Sequence, residues 1–270
     1  MKKIERKKKT GLIVLAFAGA FLLGRAAAYW GGESISTFFE KQEQAENWGL
    51  GFGEDGTQPT GTVTADELKK YDAYYLGDEK EKVLYLTFDC GYENGNTEAI
   101  LDALKKHNAK ATFFCVGNNV LKYPDTFELL KSRGHAVGCH SFNHENGWKT
   151  DDNTYIRSVL DACQLIGSDL FRPPHGRVRY SQLRGIKAAR PNIVPVAWTV
   201  IAYDWDKSLS PDAVFHNVID NAGDGAIVTF HDSEKAFSNM ISALPRVLRH
   251  YSENGFDFLP ITVDNQRYSE

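Results

Sequence analysis

The sequence predicts an α/β fold in which parallel strands alternate with helices and curl into a barrel. Seven short apolar runs between residues 83 and 263 are separated by segments in which apolar residues recur at helical spacing. Strands that alternate with helices form parallel sheets, because each helix returns the chain to the edge where the next strand begins. No glycine-rich dinucleotide-binding turn follows the first run, which favours a closed or nearly closed barrel over an open sheet.

The first predicted strand, 83–89, is nearly continuous in apolar and aromatic residues, as expected for a strand buried on both faces. It ends in Asp89, and Cys90 and a glycine follow at once. In barrels and open parallel sheets, functional side chains gather where strands end. Asp89 therefore stands where a working carboxylate would stand, but most aspartates in such a position only cap the next helix, so its role depends on the residues that recur downstream.

The later strands are predicted from similar apolar runs at 111–117, 135–141, 169–173, 192–198, 226–231 and 256–263. Helical spacing between them predicts helices over 97–107, from Pro124, over 153–165, from Ser181, from Ser210 and over 237–253. Proline suits the first position of a helix, and serine suits the position before it. A capping-box pattern at Thr64–Glu67 predicts one more short helix ahead of the first strand.

Residues 1–28 have the layout of a signal peptide or membrane anchor. A basic stretch precedes Gly11–Leu23, which is uncharged and mostly apolar, and Ala26–Ala28 offer a cleavage site. Since positive charge stays on the cytoplasmic side, we expect the rest of the chain to be extracytoplasmic, either secreted or anchored to the outer face of the membrane. Residues 29–75 then form a polar linker or stalk with a short helix, and residues 76–270 form the folded domain.

Charge and cysteine content limit the partners. Loss of residues 1–28 removes seven basic residues and one acidic residue, which changes the formal net charge from −4 to −10. An acidic body lacks the clustered cations that bind phosphate, so nucleic acid is excluded as a partner.

The four cysteines could form two disulfides in an exported protein, but their spacing of 25, 24 and 24 residues follows the strand–helix repeat and favours single buried thiols for Cys115 and Cys163. We expect a monomer that meets a membrane only through its first residues.

Reactive side chains follow most of the predicted strand ends: Asp89 and Cys90, His140 and His144, Arg172 and His175, Asp204 and Trp205, and His231. Each of these has an ordinary structural explanation when taken alone. If the strands are placed correctly, however, all of them face one rim. Imidazoles, carboxylates and a guanidinium on one rim are the functional groups used in metal-assisted hydrolysis.

Five short motifs, TFDCG, HSFNH, RPPHG, AYDWD and VTFHD, resemble in order and spacing those of the polysaccharide deacetylases, the carbohydrate esterases with a NodB-type homology domain. The resemblance covers roughly residues 80–262 and implies a distorted (β/α)7 barrel. The stretch TFDCGYENGNT is most similar to the branch that de-N-acetylates muramic acid in peptidoglycan, where δ-lactam is made. The implied activity is removal of N-acetyl groups from peptidoglycan amino sugars. A deacetylase of N-acetylglucosamine polymers or of O-acetylated polysaccharides is the alternative.

The resemblance also implies roles for proton transfer. Asp89 matches the base that takes a proton from the attacking water, and Arg172 matches the arginine that keeps this base ionised and oriented. His231 matches the acid that protonates the departing amine, and Asp204 matches the carboxylate that tunes it. Trp205 lines the same wall.

For the metal, the resemblance implies a single divalent ion bound by His140 and His144. Cys90 stands where the commoner pattern has a metal-binding aspartate. A thiolate beside two imidazoles would select zinc, whereas a buried thiol would leave a weak two-histidine site or a glycan-binding pseudo-deacetylase. His175 replaces a usual tyrosine, with mostly backbone consequences expected, and a backbone N–H near it would complete an oxyanion hole. Ile201 replaces an aspartate, which predicts weaker support behind the acid.

Overall fold

The computed structural model describes residues 65–90 and 95–263. The predicted signal or anchor segment and most of the predicted linker lie outside these ranges. The helices are α1 (Ala65–Lys69), α2 (Asn96–Lys106), α3 (Gly117–Lys122), α4 (Pro124–Ser132), α5 (Asp152–Ile166), α6 (Tyr180–Ala189), α7 (Pro211–Ile219) and α8 (Glu234–Glu253). The strands are β1 (Val83–Cys90), β2 (Thr112–Cys115), β3 (Ala136–Cys139), β4 (Leu170–Phe171), β5 (Val194–Pro195), β6 (Val200–Ile201), β7 (Ile227–Asp232) and β8 (Asp257–Phe258).

The strands form one parallel sheet in the order β5-β4-β3-β2-β1-β7-β6, and β8 pairs with the start of β1. The two end strands, β5 and β6, are consecutive in the chain, so the sheet curls into a half-barrel with helices around it. The predicted parallel α/β class is confirmed. The prediction missed β6, because its two residues follow the predicted run 192–198 after a single residue and form no separate apolar run.

Side chains along β1 point alternately to the two faces of the sheet, so the strand contributes to an inner and an outer apolar core. Leu84, Leu86 and Phe88 pack outward under the helices, and the Phe88 ring stacks at 4.9 Å on Phe113. Val83 and Tyr85 belong to a second apolar cluster inside the curled sheet. Since successive side chains on a strand face opposite sides, burial of Phe88 outward turns Asp89 inward.

Local capping explains where the helices begin. Pro124 is the first residue of α4, and the Ser210 side chain accepts a hydrogen bond from the Ala213 N–H at 3.1 Å. The predicted start at Ser181 is wrong by one residue, because α6 begins at Tyr180, where the Gln182 side chain accepts from the Arg179 N–H. The short helix α3 was missed.

The other sequence-level expectations have mixed outcomes. All four cysteines are free and buried, which confirms the prediction of single buried thiols for Cys115 and Cys163. Leu68 is buried and Tyr74 pairs with Val196, so the last part of the predicted linker packs on the domain. None of the described helices combines the length and the apolar character needed to cross a membrane.

Candidate active site

The predicted base and the predicted acid lie side by side at the carboxyl ends of neighbouring strands. Asp89 of β1 is in register with His231 of β7, and both side chains face the inside of the curled sheet. Asp89 Oδ2 lies 3.9 Å from His231 Nε2 and 3.6 Å from His140 Nε2. Its other oxygen, Oδ1, accepts a hydrogen bond from Arg172 Nη1 at 3.0 Å. Three of the predicted residues therefore meet around the carboxylate of a fourth, Asp89.

Arg172 is fully buried beneath the site and is fixed from several directions. Nη1 donates to Thr87 Oγ1 at 2.7 Å and Nη2 donates to the Ala197 carbonyl at 3.0 Å. The guanidinium also lies over the Phe114 ring, 4.1 Å from its centre. A planar group held on both edges cannot swing away from Asp89, so the carboxylate has one permitted orientation.

The His140 tautomer follows from its partner. Its Nδ1 lies 2.8 Å from the Arg172 carbonyl, which can only accept, so Nδ1 carries the proton. The unprotonated Nε2 then faces the cleft toward Asp89. This is the arrangement that a metal-binding histidine needs.

His144 follows a tight loop with an unusual backbone. Both Ser141 (φ 58°) and His144 (φ 60°) lie in the left-handed region, which few residues other than glycine adopt readily. The Glu145 carboxylate holds the loop closed, because it accepts hydrogen bonds from the Ser141 hydroxyl at 2.6 Å and the Asn143 N–H at 3.2 Å. As a result the His140 and His144 rings lie 5.0 Å apart, centre to centre.

His231 is held by both oxygens of one carboxylate. Its Nδ1 lies 2.9 Å from Asp204 Oδ1, and its backbone N–H donates to Asp204 Oδ2 at 2.8 Å. Asp204 is fully buried, and the Asn239 side chain secures its backbone at 3.3 Å. The Trp205 ring packs edge-on against the imidazole at 4.4 Å. These contacts present His231 Nε2 to the cleft.

The pKa values of Asp89 and His231 are shifted in opposite directions, which suits one to act as a base and the other as an acid. Burial opposes ionisation of Asp89, but the neighbouring His140, Arg172 and His231 outweigh it and lower the pKa of Asp89 to about 2. For His231, burial is outweighed by the Asp204 carboxylate, which raises the pKa of the imidazole above its ordinary value. Near neutral pH, Asp89 is therefore ionised, and His231 is the imidazole in the site that holds a proton most readily.

The pKa values of the two imidazoles predicted to bind a metal are shifted in the opposite direction to that of His231. Burial lowers the pKa of His140, and burial together with the charge of His140 lowers the pKa of His144 to about 4. A metal binds the unprotonated imidazole. Both residues are thus in the state that a divalent ion requires.

The structure corrects the predicted role of Cys90. Its carbonyl borders the cleft, but its Sγ lies 3.5 Å from the Phe88 carbonyl in the outer core, beside Cys115. Burial raises the pKa of this thiol well above its ordinary range. The thiol faces away from the imidazoles, because successive side chains on β1 point to opposite sides and Asp89 faces the cleft, so Cys90 is not arranged as a metal ligand in this structure.

Within residues 65–90 and 95–263, no three His, Cys, Asp or Glu side chains are already arranged to hold one ion. The donor chemistry nevertheless fits a zinc-type ion, because His140 and His144 offer two neutral imidazoles at the mouth of the cleft. Such a site has fewer protein ligands than the three usual at catalytic zinc.

His175 was predicted to act through its backbone. It lies in a short 3-10 turn at φ 59°, and its ring contacts that of His144 at 4.5 Å. Its backbone N–H makes no hydrogen bond to another described residue. The geometry is therefore consistent with an N–H available to a ligand.

Asp89, His140, His144 and His231 border a cleft of about 410 Å³, a size suited to a sugar unit. Asn118, Asn119 and Asn143 line one side of it. Sequence reasoning missed these amides, as well as Thr87, Glu145 and Asn239. The parity of β1 could have indicated Thr87, which lies two residues before Asp89 on the same face, but no local pattern marks the other residues.

The chain is similar to known polysaccharide deacetylases. Residues 76–190 match the family model described as polysaccharide deacetylase. The chain is 34% identical over 216 residues to the peptidoglycan-N-acetylmuramic acid deacetylase PdaA of Bacillus subtilis, covering 74% of this chain and 81% of that one. It is 29% identical over 201 residues to a peptidoglycan-N-acetylglucosamine deacetylase of Bacillus cereus, with 72% of each chain covered.

The solved structures agree with the fold. The crystal structure of B. subtilis PdaA, a family 4 carbohydrate esterase, superposes with a TM-score of 0.69 at 29% identity, covering 79% of this chain and 94% of that one. A family 4 pseudoenzyme from Bacillus anthracis superposes with a TM-score of 0.63 at 26% identity, covering 74% and 70%. The structural neighbours thus include both an enzyme and a pseudoenzyme.

Proposed function

This chain belongs to the polysaccharide deacetylase family, and on that premise we propose that it hydrolyses N-acetyl groups of peptidoglycan amino sugars outside the cytoplasm. The observation that carries the proposal is the pairing of Asp89 and His231 across one cleft, with opposite shifts in pKa and separate supports. Hydrolysis of an amide needs both a base for water and an acid for the amine.

A divalent ion bound by His140 and His144 would polarise the acetyl carbonyl. The residues of the chain account for the proton transfers. Ionised Asp89, fixed by Arg172, takes a proton from the water as its oxygen attacks the carbonyl carbon. The carbon–nitrogen bond then breaks, and His231 Nε2 donates its proton to the departing amine.

Two further contacts support this sequence of events. Asp204 holds the imidazole with Nε2 toward the cleft and stabilises its positive charge. The backbone N–H of His175 is a donor for the oxygen that becomes negative during attack. The products are acetate and a free amine, and solvent returns both residues to their starting protonation states.

The muramic acid branch, with δ-lactam as the later product, is the proposed substrate class. It is supported by the motif around Asp89 and by the similarity to PdaA. Deacetylation of N-acetylglucosamine is the second candidate, favoured by the likeness to the B. cereus enzyme. Use of Asp89 and Asp204 as a glycosidase pair is disfavoured, because Asp204 is fully buried behind His231.

The test is acetate release from purified peptidoglycan glycan strands and from N-acetylchitooligosaccharides, with added zinc or cobalt. Mass spectrometry of the digested glycan then shows a free amine on muramic acid, a free amine on glucosamine, or a lactam. Asp89→Asn is the matched control and should release no acetate above background. A wild-type protein that binds glycan but releases no acetate under any metal condition would be a pseudo-deacetylase.

A further inference from the structure

An exposed aromatic ring stands beside the acid side of the site. Tyr203 is 43% exposed, although both of its neighbours, Ala202 and Asp204, are fully buried. Its backbone lies in the left-handed region at φ 57°, where a bulky residue is uncommon. The conformation sends the ring outward just before the chain turns in to place Asp204 behind the acid.

The ring is connected to the site through one further aromatic residue. The centres of the Tyr203 and Trp205 rings lie 5.3 Å apart, and the Trp205 ring packs at 4.4 Å on His231. A row of rings therefore runs from solvent to the group that protonates the leaving amine. A substrate that extended from His231 on the Trp205 side would meet the exposed Tyr203 ring.

We propose that Tyr203 binds the pyranose ring next to the one being deacetylated, by stacking on its apolar C–H face. The inference rests on the proposed function, because a chain of β-linked N-acetyl amino sugars presents such faces along its length. An aromatic ring offers flat contact area that needs little ordering of its own. A strained, exposed tyrosine whose ring contacts the Trp205 ring beside His231 matches that use better than it matches a role in packing.

A structural role is the competing explanation, in which Tyr203 only shields Trp205 from water. The two differ in what they predict for substrates of different length. A shield supports every substrate equally, since it acts through Trp205. A subsite affects only substrates long enough to reach it.

The experiment compares Tyr203→Asn with Tyr203→Phe on tetra-N-acetylchitotetraose and on a small aryl acetate. Asparagine tolerates the left-handed backbone but removes the ring, and phenylalanine keeps the ring. We expect the asparagine variant to raise the KM for the tetrasaccharide roughly 5- to 30-fold with kcat unchanged, from lost apolar and aromatic contact. The phenylalanine variant should match wild type, and both should hydrolyse the aryl acetate normally.

Leu259→Asn is the control, because Leu259 is 39% exposed but pairs with Leu84 near the opposite end of β1. It should leave both substrates unaffected. An unchanged KM for the tetrasaccharide in Tyr203→Asn, or an equal loss on both substrates, would overturn the proposal.

Binding separates this inference from the proposed function. Calorimetry with the tetrasaccharide should show the same 5- to 30-fold loss when Tyr203→Asn is added to the Asp89→Asn protein. If wild type releases no acetate but this loss is seen, the subsite stands and the deacetylase does not. Failure of the Asp89→Asn protein to bind, or equal binding with and without the Tyr203 ring, refutes the subsite.

Discussion

Replacement of Asp204 by Asn tests the division of labour between base and acid. The substitution keeps the shape of the side chain but removes the charge that faces His231 Nδ1 at 2.9 Å. That charge is the main reason why the pKa of His231 is raised despite burial. Without it, burial dominates, and the pKa of the imidazole should fall.

The size of the fall follows from the strength of the contact. A hydrogen bond to a charged group contributes about 1.5–3 kcal/mol, and one pKa unit corresponds to about 1.36 kcal/mol, so we expect a decrease of roughly 1–2 units. Because His231 must be protonated to donate to the amine, activity is lost as pH rises through its pKa. The alkaline limb of the activity profile should therefore move to lower pH by the same amount.

Two measurements check this expectation. The pH dependence of kcat/KM on N-acetylchitooligosaccharide locates the alkaline limb, and an NMR titration of the His231 imidazole reports its pKa without catalysis. Asp206→Asn, on the same loop but bonded to Ser208, is the matched control and should shift neither. An unchanged His231 titration in Asp204→Asn would refute the electrostatic reasoning, whatever happened to the rate.

Three other predictions concern the supports of the site. Arg172→Met should lower the free energy of unfolding in urea by about 3–5 kcal/mol, because it strips the buried Asp89 carboxylate of its partner; an unchanged midpoint would contradict this. Cys90→Ala should leave zinc affinity, measured by competition titration, within about twofold of wild type. A loss of roughly tenfold or more would show that the thiol takes part in metal binding. Glu145→Gln should weaken zinc binding roughly tenfold, since it loosens the loop between the two imidazoles. An unchanged zinc affinity would show that the loop keeps its conformation without the Glu145 carboxylate.

Much of the site was predictable because β1 carries two signals at once. Its apolar run identifies a buried parallel strand, and the strand's end identifies the rim where Asp89 lies. The same argument applied to β7 places His231 beside it, which the register confirms. These are local patterns, and they determine which residues meet.

The supports were not predictable for a related reason. Glu145 accepts a hydrogen bond from the Asn143 backbone N–H, and Asn239 donates one to the Asp204 carbonyl, and the positions of both backbone groups depend on the folded loops. A glutamate after a histidine, or an asparagine within α8, carries no periodic signal. The orientation of Cys90 also needed the structure, because the end of a strand can twist and the motif alone leaves parity open.

Two of the three departures from the commoner family pattern, Ile201 and Cys90, have unequal consequences. Ile201 removes one possible support of the acid, yet Asp204 binds both the imidazole and the backbone of His231, so proton transfer keeps its geometry. Cys90 removes a carboxylate from the metal side, and nothing in the described residues replaces it. If the activity of this chain is low, the cause should then be weak metal binding, so that activity depends on metal concentration while its pH profile is unchanged. Activity that rises with zinc at concentrations well above those of the enzyme, with unchanged alkaline and acid limbs, is the expected signature. A rate independent of added zinc and of chelators would show instead that Asp89 and His231 act without the ion.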